Sequence, residues 1–522
     1  MGMTAIIETE RRTGAEPLAA IRPWTIAIAF GLVGTAVSAA GSWIPSLWGD
    51  EAASVMSAER PVGSLLTMLF HVDAVHGFYY LGLHGWIRLV GDSAFAIRFP
   101  SAIAIGFAVA AITLLAGRRG GPTAAIAAGI VGSVLPRMTY AGEEARSFAF
   151  SAAAAGWLTL LLVWLVDGRG RTVPANVRRT CWVLYGAGMA VASYLFLYMI
   201  ALAAGHLALL LLSRASRRTL TAWGLAMGGT VVAISPIVLL AFFERRQIGY
   251  LGAQTLDPST LLYAPWFSTP WVAAVAWALI LVAVAGSIVS WRRAGLRPRT
   301  GVPITATSVA VCWLIVPTGV LLLANLVFPL YTARYSTFAA PAAALLIAEG
   351  ILVLGRWLAR GDARRMVAVS ALGVLGFVAV CAPVYLLQRG PYAKNNSDWS
   401  EVSAAVGSLA RPGDAVVFDE STRPSQRPRL AMRTYPAGFV NVRDVTLQTP
   451  YYDNIGWADR AYGVQDAAEL GRFDGVHRVW LIENDVDGNL KDYGRAALTE
   501  LGYEPTGRMV TTHRTAIIEL TR

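Results

Sequence analysis

Apolar runs long enough to cross a bilayer, or nearly so, recur at about 24–42, 98–117, 121–138, 147–166, 181–198, 199–213, 220–243, 272–291, 303–328, 336–357 and 366–387. A hydrocarbon core about 30 Å thick takes ~20 apolar residues per helix, so this repetition predicts roughly eleven membrane helices. Composition agrees: the 522 residues are 55% hydrophobic and 15% charged, with a mean hydropathy of +0.51. That exceeds what a soluble core needs and marks a polytopic α-helical membrane protein. The net charge of +11 would suggest nucleic acid in a soluble chain. Here most of the excess arginine falls in short loops between apolar runs, which makes it a topology signal and argues against a nucleic-acid partner.

Arg11 and Arg12, Arg118 and Arg119, and the loops 169–179, 214–218, 292–299 and 356–365 fall on one side of this pattern, the cytoplasmic side by the positive-inside rule. Residues 1–23 are then a cytoplasmic N-terminus. The first apolar run serves as an uncleaved span, because it is longer than a signal core and Trp43-Ile44-Pro45 is a poor cleavage site. An odd span count places the long loop 43–97, Glu143 to Arg146, the loop 244–271, Arg334 and everything after about 388 outside the inner (plasma) membrane. Arg245 and Arg246 break the charge rule in this arrangement. Cys181, Cys312 and Cys381 lie far apart, in or beside apolar runs, and read as small lipid- or core-facing residues rather than a disulfide or metal framework.

The composition changes at Gln388-Arg389-Gly390-Pro391, where long apolar runs stop. Residues 24–387 form the transmembrane domain and 388–522 an extracytoplasmic α/β domain of ordinary size. Its predicted elements are a helix near Trp399 to Ala410, strands at Ala415 to Phe418 and His477 to Ile482, a helix near Tyr493 to Leu501 and a strand at Thr515 to Leu520. It holds no Gly-rich phosphate loop, nucleophile elbow or metal-spaced His/Cys cluster. Acceptor binding or packing against the membrane domain suits it better than catalysis.

The unusual polar residues collect on the predicted outer face. Asp50 and Glu51 follow the first apolar run, where a carboxylate can meet an acceptor hydroxyl from water and act as a general base; taken alone they are also ordinary acids near a helix start. The run His71 to Tyr80 leads into a stretch at 78–90 that is too short to span and suits an interfacial helix. His71, Asp73 and His76 are positioned to orient a sugar hydroxyl or a backbone turn, or to ligate a divalent metal, although their spacing matches no defined metal motif. With Tyr79, Tyr80, Glu143 and Glu144 they make the candidate substrate-binding set. Glu143 and Glu144 also suit a helix N-terminus, whereas Arg146 opposes its dipole and calls for an anion, either those acids or a phosphate. Arg334 is a second lone arginine, and phosphate binding competes for both with snorkelling to lipid headgroups. Arg98 opens the second span and is placed to pair with Asp50 or Glu51. Tyr263, Trp266 and Phe267 suit an aromatic belt or a sugar stack.

This ordered set resembles the bacterial branch of the GT-C glycosyltransferases, relatives of protein O-mannosyltransferases and aminoarabinose transferases. It comprises Asp50-Glu51, the His71 to Tyr80 run, Arg98-Phe99-Pro100-Ser101, Glu144 to Phe148, and Arg334-Tyr335 with Pro341, and it covers about residues 24–387. The resemblance implies an inverting transfer of sugar from a polyprenyl phosphate to a glycan, glycolipid or protein acceptor at the outer membrane face. It implies Asp50 as base, Glu51 as its neighbour in catalysis, and Arg146 and Arg334, joined by Arg98, as donor-phosphate ligands. No cofactor is fixed, and a divalent metal stays open. Related enzymes commonly have Pro-Pro before the Tyr-Tyr where this chain has His76-Gly77-Phe78, which leaves the sugar open. The Ala- and Arg-rich, Lys-poor composition suggests an actinobacterial envelope enzyme, with mannose the first choice and arabinose the second.

The alternative is a lipid-linked glycan flippase or transporter. Such a protein should place ionisable groups near mid-membrane within repeated halves. Here those groups gather at one interface and no repeat is visible.

Overall fold

The computed structural model describes residues 22–522 apart from 168, 169, 171, 254, 255, 295–300, 487 and 491. Arg11, Arg12, Arg169, Arg297 and Arg299 therefore lie outside the described residues, as does nearly all of the 1–23 segment. In chain order the helices before the C-terminal domain are α1 (Pro23–Ala39), α2 (Gly49–Glu59), α3 (Val62–Leu69), α4 (Gly77–Val90), α5 (Ala94–Val134), α6 (Pro136–Gly142), α7 (Phe148–Val166), α8 (Ala175–Leu195), α9 (Ala201–Leu212), α10 (Arg217–Phe243), α11 (Pro258–Leu262), α12 (Pro270–Arg293), α13 (Ala306–Asn325), α14 (Ala340–Ala359) and α15 (Ala363–Gln388).

Each of the eleven apolar runs falls on one of these helices. Two runs share α5, which breaks at Gly121, where φ is +78°, just before Pro122. Only glycine takes that backbone conformation at little cost, and the proline that follows removes a helix hydrogen bond. Among the described residues, seven stretches are long and apolar enough to cross a membrane, while α1 and Leu197–Leu212 are shorter apolar helices. The chain is a polytopic α-helical membrane protein with a C-terminal soluble domain. Helix α1 lies tightly on α5, where a Cβ added at Gly106 would stand 2.1 Å from Thr35 Oγ1 and 2.6 Å from the Gly31 carbonyl oxygen. Small residues at such crossings let helices approach where lipid gives them no hydrophobic drive to associate.

The C-terminal domain opens with α16 (Trp399–Leu409) and continues through β1 (Asp414–Phe418), α17 (Arg429–Thr434), β2 (Val442–Asp444), β3 (Leu447–Thr449), β4 (Arg460–Ala461), α18 (Val464–Glu469), β5 (Arg478–Val486), β6 (Asn489–Leu490), α19 (Arg495–Glu500), β7 (Glu504–Thr511) and β8 (Thr515–Thr521). The main sheet runs β2-β1-β5-β8-β7, with β6 on β5. Strands β1, β2 and β5 are parallel, and β8 is antiparallel to β5 and β7. All five predicted elements are present. Strand β7 escaped the sequence reading because its residues are almost all exposed, so no buried alternation marks it.

Alternation along the strands divides the domain into two cores. Val417 and Leu481 face one, with Leu498 and Tyr503. Val416, Phe418, Trp480 and Ile482 face the other, with Trp399 of α16, and this second core also takes in Ala52 and Met56 of α2. The helix that carries Asp50 thus has one side in the core of the soluble domain. Burial of a methionine contributes about 1.5–3 kcal/mol, and Arg60 fastens the same helix end by donating to the carbonyls of Asn454 and Gly456.

The aromatic loop is placed differently from expectation. Trp266 and Phe267 are buried and join the membrane-domain core. Their loop is gripped by Arg137, which donates to the carbonyls of Ala264 and Pro265. They form neither a belt nor a stacking surface.

Candidate active site

Helix α2 forms because its stretch is rich in alanine and begins with Asp50 and Glu51, whose charges suit a helix N-terminus. Arg60 and Pro61 end it. The two acids leave the first turn in different directions and meet different fates.

Glu51 turns inward. Its carboxylate takes Arg98 Nε at 2.7 Å and Nη2 at 2.5 Å, and both side chains are wholly buried. Arg98 also donates to the carbonyls of Ser42 and Pro45. The guanidinium expected to hold a donor phosphate is therefore spent on protein acceptors, and it holds Glu51 instead. Glu51 Oε1 accepts the Ala145 N–H at 2.9 Å as well, tying α2 to the loop that carries Arg146.

Asp50 stays partly exposed. Its Oδ2 is 2.5 Å from Nη1 of Arg334, with about a quarter of each side chain exposed. Arg334 comes from the 3₁₀ turn Ala333–Ala339 that precedes α14. Its guanidinium lies about 6 Å from the rings of Trp48, Phe148 and Tyr335, an aromatic box that holds a cation while leaving its N–H groups free to donate. Arg146 donates to the Asp50 main-chain carbonyl at 3.3 Å and to Ser54 Oγ at 3.3 Å. Burial opposes its charge, but Asp50, Tyr80, Asp73 and Glu144 outweigh that and raise its pKa.

The His71 to Tyr80 run splits. Arg146 Nη2 is 3.0 Å from His76 Nε2. An arginine can only donate, so Nε2 is the acceptor and the imidazole is neutral with its proton on Nδ1; burial and two nearby guanidiniums keep its pKa well below the ordinary range. Tyr80 Oη donates to Asp73 Oδ2 at 3.1 Å and stands 3.5 Å from Arg146. Tyr79 is buried against Phe150. His71 lies exposed on the Thr67 carbonyl. His71, Asp73 and His76 thus each have a different partner, and among the described residues no group of three His, Cys, Asp or Glu side chains is placed to hold a metal ion.

Glu143 pairs with Arg389 at 3.2 Å and Lys394 at 3.4 Å in a buried cluster. It braces the junction between the domains. Glu144 is 2% exposed, and its Oε1 makes no hydrogen bond; burial raises its pKa against the pull of Lys394. Trp48 Nε1 and Arg334 Nε are likewise buried without a hydrogen bond. Such atoms are rare in folded proteins; one belongs to Arg334 itself, and the other two to Trp48 and Glu144 near its guanidinium.

Lys394, Arg389, Trp48, Ser54 and the Glu244–Gln247 pair were not singled out from sequence. Glu244 accepts the Ala74 N–H at 3.0 Å, and Gln247 accepts the Asp73 N–H at 3.3 Å. They hold the turn in which Asp73 takes a left-handed conformation, φ +59°. Trp48 alone had a signal, its position two residues before Asp50.

The molecule joins a polytopic helical domain, with the partly exposed Asp50–Arg334 pair among aromatic side chains, to an α/β domain that packs on the helix carrying Asp50. ArnT from Cupriavidus metallidurans in the apo state shares this fold, with a TM-score of 0.54 and 14% identity over 94% of this chain and 97% of that one. The same protein bound to undecaprenyl phosphate gives 0.52 at 14% identity and the same coverage. The apo oligosaccharyltransferase of Archaeoglobus fulgidus gives 0.51 and 11%, over 88% of this chain and 69% of that one. No family model matches the chain, and no curated protein does.

Proposed function

We propose that this protein is an inverting glycosyltransferase that moves a sugar from a polyprenyl phosphate to an acceptor hydroxyl. The observation that carries the reading is the partly exposed Asp50 carboxylate, paired with Arg334 and within electrostatic reach of Arg146, which donates to the Asp50 main-chain carbonyl. The fold shared with ArnT, which has been seen bound to undecaprenyl phosphate, supports the choice of donor.

The donor phosphate engages Arg334 and Arg146, whose guanidiniums match its oxygens. Because Arg334 is the partner of Asp50, the arriving phosphate takes that partner and uncovers the base. Asp50 accepts the proton of the acceptor hydroxyl, and the acceptor oxygen bonds to the anomeric carbon. The sugar–phosphate bond breaks on the opposite face, and its electron pair leaves on the polyprenyl phosphate. The two arginines offset the charge that grows there. Neutral His76, with Tyr80 and Asp73, aims Arg146. Glu51 and Arg98 act as positioning residues that fix α2 against the Arg146 loop.

On this reading the site opens at the outer face of the plasma membrane, as the arginine pattern of the loops supports. Mannose is the first candidate sugar and arabinose the second. In the test, Asp50→Asn abolishes transfer from polyprenyl-phosphate mannose or arabinose, a loss of about 10²–10⁴-fold for a general base, while donor binding persists. Near-normal turnover by that variant removes Asp50 from the role.

A further inference from the structure

Two close helix crossings leave a gap beside them. A Cβ added at Gly350 of α14 would stand 2.0 Å from the Leu279 carbonyl oxygen of α12, and one at Gly205 of α9 would stand 2.8 Å from the Cys312 carbonyl oxygen of α13. The missing side chains let each pair approach to backbone contact, so α12 is drawn to α14 and α13 to α9. Between the two pairs lies a cavity of about 370 Å³.

Its wall is almost wholly apolar, formed by Val284, Ile288 and Trp291 on one face of α12, Leu212 of α9, and Val311 and Cys312 of α13. The Val302 N–H donates to the Leu212 carbonyl at 2.8 Å, so the chain before α13 crosses the end of α9, and Val302 and Pro303 border the cavity there. The rim is apolar too: Ile288 is 42% exposed and Leu212 52%. On the surface of a membrane-spanning domain such side chains meet hydrocarbon. Helix α13 runs about 30 Å from the cavity toward the turn that carries Arg334. The cavity therefore sits at the end of the helical domain remote from Asp50.

Volume and charge identify the occupant. An apolar cavity of about 150 Å³ takes up benzene rather than water, and by that ratio this one holds a chain of roughly fifteen carbons, the size of a phospholipid acyl chain. Arg292 stands one turn beyond Ile288 on α12, and Arg293 one turn beyond Ser290, which also lines the cavity. Both arginines are exposed, and the chain carries no acid between Asp257 and Glu349 to offset them. Guanidiniums beside an apolar cavity match the phosphate of a lipid whose tail enters it. We propose that this cavity holds one acyl chain of an anionic phospholipid from the leaflet opposite Asp50, with the lipid phosphate on Arg292 and Arg293. The site stands apart from the glycosyltransferase reading and does not depend on it.

The experiment reconstitutes the full-length protein in nanodiscs with phosphatidylglycerol or phosphatidylcholine that carry the same photoreactive acyl chain, and maps the crosslinked peptides. Phosphatidylglycerol should label residues 284–291 and 302–312 in preference to the other lipid-facing helices. Ser287→Phe, which fills the cavity, should cut that labelling about tenfold and leave labelling elsewhere unchanged. The double variant Arg292→Gln/Arg293→Gln should keep the cavity but lose about tenfold or more of the preference for phosphatidylglycerol over phosphatidylcholine. Its changes lie on exposed side chains, so a fold defect does not account for the loss, and melting temperatures confirm that both variants are folded. Labelling spread evenly over the lipid-facing helices, equal labelling by the two lipids, or labelling indifferent to Ser287→Phe overturns the proposal. Displacement of the cavity label by stoichiometric undecaprenyl phosphate assigns the cavity to a prenyl chain and likewise overturns it.

Discussion

Asp50 and Arg334 lie 284 positions apart in the chain and 2.5 Å apart in space. The pair closes the helical domain on itself, because one partner comes from the first loop and the other from the turn before α14. A carboxylate that serves as base and an arginine that holds a phosphate cannot both be fully engaged with each other during turnover. On the proposed glycosyltransferase reading, the donor phosphate must break this pair before the base can act.

Removing the arginine tests that exchange. Arg334→Gln should weaken undecaprenyl phosphate binding and lower kcat by about a hundredfold or more, the usual cost of losing one preorganised donor to a growing negative charge. Arg334→Lys should recover only part of the loss, since an ammonium lacks the planar fork that matches phosphate. Binding and turnover equal to wild type in Arg334→Gln would show that the phosphate sits elsewhere.

The Glu51–Arg98 pair should behave as a structural element. Arg98→Met leaves a buried carboxylate without its partner, and such breaks cost about 3–5 kcal/mol. A large fall in melting temperature is expected, and the double variant Glu51→Gln/Arg98→Met should regain part of it. A single variant as stable as wild type would contradict the burial argument.

Glu244 supplies a pH dependence. Burial raises its carboxyl from 4.5 to about 7 in spite of the Ala74 N–H it accepts. The folded state therefore holds a proton that the unfolded chain has already released, so the residue's contribution to stability is full below about 4.5 and declines as pH rises through about 7. Melting temperatures measured between pH 5 and 8 should fall less steeply in Glu244→Gln than in wild type. Parallel curves would remove Glu244 from the titration.

Gly49 tests the contact between the domains. Gly49→Ala drives a methyl group into the Ser425 carbonyl, and backbone cannot yield as a flexible side chain does. Forced packing of this kind costs about 1–3 kcal/mol. Faster proteolysis within residues 419–428 is the expected result, and an unchanged digestion pattern would argue against close docking there.

The spans were legible because each carries its own signal in twenty-odd consecutive residues. The sequence also marked Asp50, Arg146 and Arg334, since an isolated charge beside an apolar run stands out. Partnership was not legible. Nothing in the neighbourhood of Arg98 says that it will choose Glu51 over a phosphate, because that choice depends on the depth to which both are buried. Lys394 and Arg389 were hidden for a related reason: they follow the change in composition, where a cation reads as ordinary surface, yet they fold back onto Glu143. The loop at Trp266 misled because an aromatic cluster reads alike whether it meets lipid, sugar or, as here, an arginine underneath.

The placement of Ala52 and Met56 in the second core of the sheet bears on how such proteins can be recombined. The C-terminal domain is not a cassette that begins where the last apolar run ends. A chimaera spliced at residue 388 would separate Trp399 and Phe418 from two of the side chains that complete their packing, and would leave Glu143 without its cations. A graft that is to work must carry residues 49–60 together with 389–522, two pieces of sequence inherited as one folded unit.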